Sequence, residues 1–122
     1  MIELETGGID LALDISGNDI TRVEENEELK MIRGRSVTND FICFNTSKEP
    51  FNNATLRKAV AYAIDPNAIL QAVYQGQGQI AYGPLTTDTW AFDESLKTNP
   101  PYTYDLDKAK KLMVEAGYPD GA

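Results

Sequence analysis

The sequence predicts an α/β fold with its strands in the first half and its helices in the second, and three observations carry that prediction. Ile9, Leu11, Leu13 and Ile15 alternate with Asp10, Ala12 and Asp14, the period of two that places every second side chain on one face of a strand. Leu56, Ala59, Val60, Ala63 and Ile64 recur at helical spacing after Asn53. Ala109, Leu112, Met113 and Ala116 share one helical face between Asp105 and Gly117.

Taken in order, Gly7 and Gly8 suit the end of a helix that begins outside the sequence, because glycine adopts the left-handed conformation that closes a helix. The strand from Ile9 to Ile15 follows. Ser16-Gly17-Asn18-Asp19 is a turn, and Asp19 is placed to cap a short helical stretch through Val23. Glu24 to Glu28 is a solvated acidic run. Two further strands are predicted, around Leu29 to Arg33 and around Phe41 to Asn45. Pro50-Phe51-Asn52-Asn53 then breaks the chain and supplies an Asn N-cap. Asp65-Pro66 restarts the helix: the Asp side chain accepts from a first-turn amide, and Pro gives up an N–H that had no partner. Ile69, Leu70 and Val73 form its apolar face, and Gly76 ends it. The connection from Gly76 to Tyr104 is long enough to be functional or packed against something, with Trp90 and Phe92 as its expected anchors. Asp105 caps the last helix, Gly117 is its left-handed C′ residue, and Tyr118 is placed to close a Schellman cap against Met113.

Composition narrows the function. The chain has 122 residues, enough for one core but not for two lobes with a ligand cleft between them. With 11 Lys and Arg against 19 Asp and Glu, the net charge of −8 repels nucleic acid and anionic membrane at long range. Histidine is absent, which removes the commonest general base and the commonest metal ligand together. Cys43 is the only cysteine, so neither an internal disulfide nor a Cys-rich zinc site can form. No run of 18 apolar residues occurs, and the segment from Met1 to Glu5 lacks the basic and apolar regions of a signal peptide, so this segment predicts no membrane insertion.

Particular motifs weigh against catalysis and metal binding. Asp14, Ser16, Asn18 and Glu25 fall at positions 1, 3, 5 and 12 of a calcium loop, but Asp19 replaces the glycine needed at position six and Thr21 the aliphatic residue at position eight. A plain strand-turn-helix connection fits better. Gly76, Gly78 and Gly83 do not form a phosphate-binding fingerprint and no strand feeds them. Acidic pairs are numerous enough to arise by chance, and no nucleophile motif accompanies them, so no catalytic residue, cofactor or metal is predicted. Asn45-Thr46-Ser47 and Asn53-Ala54-Thr55 are formal glycosylation acceptors that read as a turn and a cap. Tyr82 and Trp90 read as loop anchors before ligand-stacking groups, and Arg57 as a surface or inter-element salt-bridge partner.

An ordered set of segments rises above this background: Phe44-Asn45, Pro50-Phe51-Asn52, Leu56-Arg57-Lys58-Ala59, Ala61-Tyr62-Ala63-Ile64-Asp65, Gly83-Pro84, Tyr104-Asp105, Lys108-Ala109-Lys110-Lys111-Leu112 and Glu115-Ala116-Gly117-Tyr118. Their order and spacing resemble the extracytoplasmic solute-binding proteins of the oligopeptide and dipeptide class (family 5), which serve ABC importers. Gly8-Ile9-Asp10-Leu11-Ala12 is similar to the strand before that run. Asn53 stands where similar proteins usually have Asp, Leu56 where Val precedes the Arg, and Pro66 where Arg follows the Asp.

The resemblance implies residues 1–122 as a single fragment, mostly from the second lobe of a larger two-lobed receptor with a type II periplasmic-binding-protein-like fold. It implies a binding protein outside the cytoplasmic membrane, in the periplasm or on the surface as a lipoprotein, that captures a peptide or other small solute and delivers it to the permease transmembrane subunits. The ligand-facing positions it implies are those just before Phe44-Asn45: Thr38, Asn39 and Asp40, with Asp40 able to accept from a cationic group on the solute. A strand-end polar run in solvent is the alternative for these three. The acidic residue that pairs with a peptide's amino terminus in similar proteins has no position in this sequence. Alternatives are the same family binding a nickel chelate, haem, opine or oligosaccharide, or a standalone acidic interaction domain.

Overall fold

The computed structural model describes residues 1–121, which form six α-helices: α1 (Ile2–Glu5), α2 (Ile20–Glu24), α3 (Ala54–Ala63), α4 (Pro66–Ala72), α5 (Ser95–Thr98) and α6 (Leu106–Glu115). Side chains that accept from unpartnered first-turn amides set where the longer ones begin. Asn53 Oδ1 accepts from Thr55 N at 2.9 Å and Leu56 N at 3.3 Å and opens α3. Asp65 Oδ1 does the same for α4, from Asn67 N at 2.9 Å and Ala68 N at 3.1 Å, with Pro66 as first helical residue. Asp105 Oδ1 accepts from Lys108 N at 2.8 Å and opens α6.

Helix α6 closes in a Schellman cap. Gly117 sits at φ 91°, Tyr118 N donates to Met113 O at 2.9 Å and Gly117 N to Val114 O at 3.0 Å. The same device ends α1: Gly7 is at φ 73° and Gly8 N donates to Glu3 O at 2.7 Å. Ahead of α2, a single 3-10 turn (Gly17–Asp19) is capped by Ser16, whose hydroxyl accepts from Asn18 N; Asp19, the expected cap, makes no side-chain cap bond.

Helices α3 and α6 pack antiparallel and hold most of the core. Leu56, Ala59 and Ala109 are buried between them, and the small alanines let the two backbones approach. At one end Asn53 Nδ2 donates to Ala116 O at 3.1 Å; at the other Asp105 N donates to Tyr62 O at 2.8 Å and Lys108 Nζ to Tyr62 Oη at 2.8 Å. Tyr62 stacks edge-on against Tyr102, and Phe44 packs on Phe51 with ring centroids 5.0 Å apart, fastening the segment before α3. Arg57 donates to the carbonyls of Phe51 at 2.6 Å and Asn52 at 3.1 Å, so it staples the turn before its own helix and forms no salt bridge among the described residues. Asn45 Oδ1 accepts from Ser47 N at 3.1 Å and Ser47 Oγ at 2.8 Å, which is the expected turn.

The predicted strands do not form among the described residues. A strand exists only when a neighbour supplies N–H and C=O groups along its length. The segments 9–15, 29–33 and 41–45 meet no such neighbour, and of the side chains whose alternation predicted a buried face Leu13 is 78% and Phe41 81% exposed, while Ile15 and Phe44 are half-buried. Asp14 at φ 54° also turns the chain inside the first run.

The long connection is held differently from its expected form. Trp90 is 97% exposed and anchors nothing, whereas Phe92 is half-buried beneath Lys97, whose Nζ lies 5.4 Å from the ring centroid. Asp93 Oδ1 accepts from Ser95 N at 2.9 Å at the start of α5, and the bonds from the Ser95 hydroxyl and amide hold the Asp93 carboxyl below its ordinary pKa. Because the folded pKa is depressed, this support for α5 is present above the ordinary carboxylate range and is lost as pH falls through the folded value. An acid titration followed by NMR should show the Ser95 amide and α5 moving together, at a pH below that at which a free Asp protonates. A midpoint at or above the free value overturns this.

Candidate functional site

The segment 29–44, α4 and the start of the long connection line a groove of about 1510 Å³. Its walls are mainly apolar, with Leu11, Ile32, Phe41, Leu70, Tyr82 and Leu85 among them, and Thr38, Asn39 and Asp40 lie together along it. An apolar groove bearing a few convergent polar groups is the usual form of a small-molecule site.

The three predicted residues have different partners. Thr38 Oγ1 accepts from Ser36 Oγ at 2.8 Å, and Thr38 N donates to the same hydroxyl at 3.1 Å, a local turn that leaves the side chain exposed. Asn39 is half-buried, and its Nδ2 donates to Pro84 O at 2.9 Å and Gly83 O at 3.3 Å, so this amide ties the segment to the long connection. Asp40 is exposed and its Oδ2 accepts from the Tyr74 hydroxyl. That bond and the Asp40 charge raise the Tyr74 pKa above its ordinary value, since a phenolate would face a carboxylate.

These bonds belong to a polar seam that runs along the segment. Arg33 donates to Gln77 and to Glu24 Oε1, the latter at 2.6 Å, and Arg35 pairs with Asp88 at 2.6 Å. Exposed ion pairs of this kind contribute about 0–1 kcal/mol each, so their effect is to fix where the segment lies more than to stabilise the chain. Tyr74, Arg33, Arg35 and Asp88 were not foreseen as site residues. Their partners lie 34 residues away for Tyr74 and 53 for the Arg35–Asp88 pair, distances over which no periodicity or cap pattern speaks.

The arrangement suits binding: hydroxyl, amide and carboxylate groups on an apolar wall can orient a small solute. Among the described residues no group of three or more His, Cys, Asp or Glu is placed to hold a metal ion, and no helix is long and apolar enough to cross a membrane.

Comparison with known proteins places the fold. The chain is 37% identical to heme-binding protein A of Haemophilus influenzae over 98% of its own length and 21% of that protein. It is 34% identical to the glutathione-binding protein GsiB of Pectobacterium atrosepticum over 97% of its length and 22% of that protein. Its backbone matches the crystal structure of a dipeptide-binding protein from Pseudoalteromonas sp. SM9913 in complex with Met-Leu, with a TM-score of 0.78, 30% identity, and 98% of this chain covering 23% of that one. The chain therefore spans about a fifth of the length of the curated relatives it matches, and shares the fold of part of a type II periplasmic-binding-protein-like receptor. Residues 1–122 match throughout the family of bacterial extracellular solute-binding proteins, family 5, in its middle region, and the chain belongs to that family.

Proposed function

We propose that the chain is mostly second-lobe structure from the solute-binding component of an ABC importer for oligopeptides or dipeptides. Outside the membrane the receptor captures its solute and delivers it to the permease transmembrane subunits, without chemical change to the solute. The observation that carries this reading is the family match along the whole chain. The polar groups at 38–40 on an apolar groove support it, as does the likeness to a receptor crystallised with Met-Leu. Segments 9–15, 29–33 and 41–45 form strands when other parts of the receptor supply backbone partners along their edges.

Affinity in a two-lobed receptor comes from burying the solute between two surfaces, so one lobe alone is a poor binder. Titrating a mixed di- to pentapeptide pool by calorimetry should give tight binding to the full-length receptor and little heat with the 122-residue chain. Sub-micromolar binding by the chain alone overturns the two-surface reading. The 37% identity to a protein named for haem favours a second solute; haem binding by the full-length receptor without peptide binding replaces peptide with haem.

A further inference from the structure

The Asp40 carboxylate lines the groove, and among the described residues its side-chain partner is the neutral Tyr74 hydroxyl. The arginines of its own segment are each taken by another acid, Arg33 by Glu24 and Arg35 by Asp88, and the other ion pairs among the described residues are Arg22–Glu5 and Lys97–Glu94. The Tyr74 hydroxyl occupies Oδ2, which leaves Oδ1 and its lone pairs open. A carboxylate held by one neutral hydrogen bond has its orientation set in advance, the arrangement that favours a charge-assisted bond to a cation.

We propose that Asp40 is the counter-ion for a cationic side chain of the solute and that Tyr74 is its positioning residue, so that the receptor prefers peptides carrying lysine or arginine over neutral peptides of the same shape. This rests on the reading that 38–40 face the solute. Tyr74 acts through Asp40: its hydroxyl fixes the rotamer of Asp40 from the end of α4, one residue beyond the C-cap at Val73. Asn39, tied to Gly83 and Pro84, fixes the backbone beside it.

The test uses the full-length receptor and two pools of alanine tripeptides, one with lysine at a single position and one with norleucine there, which keeps the hydrocarbon and removes the ammonium. Asp40→Asn should weaken lysine-pool binding by about tenfold or more, the usual size of a hydrogen bond to a charged group, and leave the norleucine pool unchanged. Tyr74→Phe, which deletes only the hydroxyl, should weaken the lysine pool by a smaller factor and spare the norleucine pool. The double variant should be no weaker than Asp40→Asn alone, because Tyr74 acts through Asp40. Equal losses on both pools for Tyr74→Phe, or additive losses in the double variant, overturn the positioning role while Asp40 stands. An Asp40→Asn receptor that binds the lysine pool normally, or a wild type that does not discriminate between the pools, overturns the counter-ion. A wild type that binds neither these pools nor the mixed di- to pentapeptide pool overturns the peptide reading and this inference together.

Discussion

Leu56→Ala is expected to destabilise the 122-residue chain by about 2–5 kcal/mol, the range for deleting a buried leucine and leaving a cavity. Among the described residues Leu56, 1% exposed, is the largest fully buried side chain, and only Val23, Ala59 and Ala109 join it as buried apolar residues. Two of those are alanines, whose short side chains cannot fill the space that Leu56 vacates. Domain stabilities are of order 5–15 kcal/mol, and a chain with so few buried groups sits toward the lower end, so the loss removes much of what holds α3 to α6. Thermal unfolding followed by helical circular dichroism should show a fall of roughly 8 °C or more, since about 1 kcal/mol moves the midpoint by several degrees in a small domain. Leu13→Ala, at a position 78% exposed, is the matched control and should change it little. A Leu56→Ala midpoint within 2 °C or so of wild type, on that same scale, means that the α3–α6 contact is not the core of the chain.

What could be read from the sequence divides along physical lines. Caps are local: Asn53, Asp65 and Asp105 each accept from amides two or three residues on, and the Gly117 closure spans six residues, so the residues that make the feature lie side by side in the sequence. The strands failed because a ladder is not local. Ile9 to Ile15 has the right alternation, yet no segment among the described residues offers its backbone bonds, and Asp14 leaves the extended region. Trp90 failed for a related reason: being large and apolar predicts that a side chain gains by burial, not that this chain contains the surface to bury it. For the candidate site, the resemblance pointed to 38–40, three consecutive residues that lie along the groove. That Asn39 would be spent on Pro84 and Asp40 on Tyr74 depends on how distant segments meet, which no local pattern encodes.

Asn53 offers the second large effect, because one side chain performs two tasks with two different atoms. Its Oδ1 caps α3, and its Nδ2 donates to Ala116 O at the far end of α6. Asn53→Ala removes both and should cost about 2 kcal/mol, combining roughly 1 for a lost N-cap and roughly 1 for a hydrogen bond whose carbonyl is left half-buried. Asn53→Asp separates them. The carboxylate keeps the cap and gains about 0.3–1 kcal/mol from the positive end of the helix dipole, but it has no proton for Ala116 O and sets one acceptor against another. The expected order of stability is wild type, then Asn53→Asp, then Asn53→Ala, read from chemical denaturation. Hydrogen exchange at the Tyr118 amide, which closes α6 onto Met113, should accelerate in Asn53→Asp, while the Leu56 amide, which the cap still holds, should not. An Asp variant as stable as wild type, with Tyr118 exchange unchanged, removes the link to Ala116 from the account and leaves Asn53 as a helix cap alone.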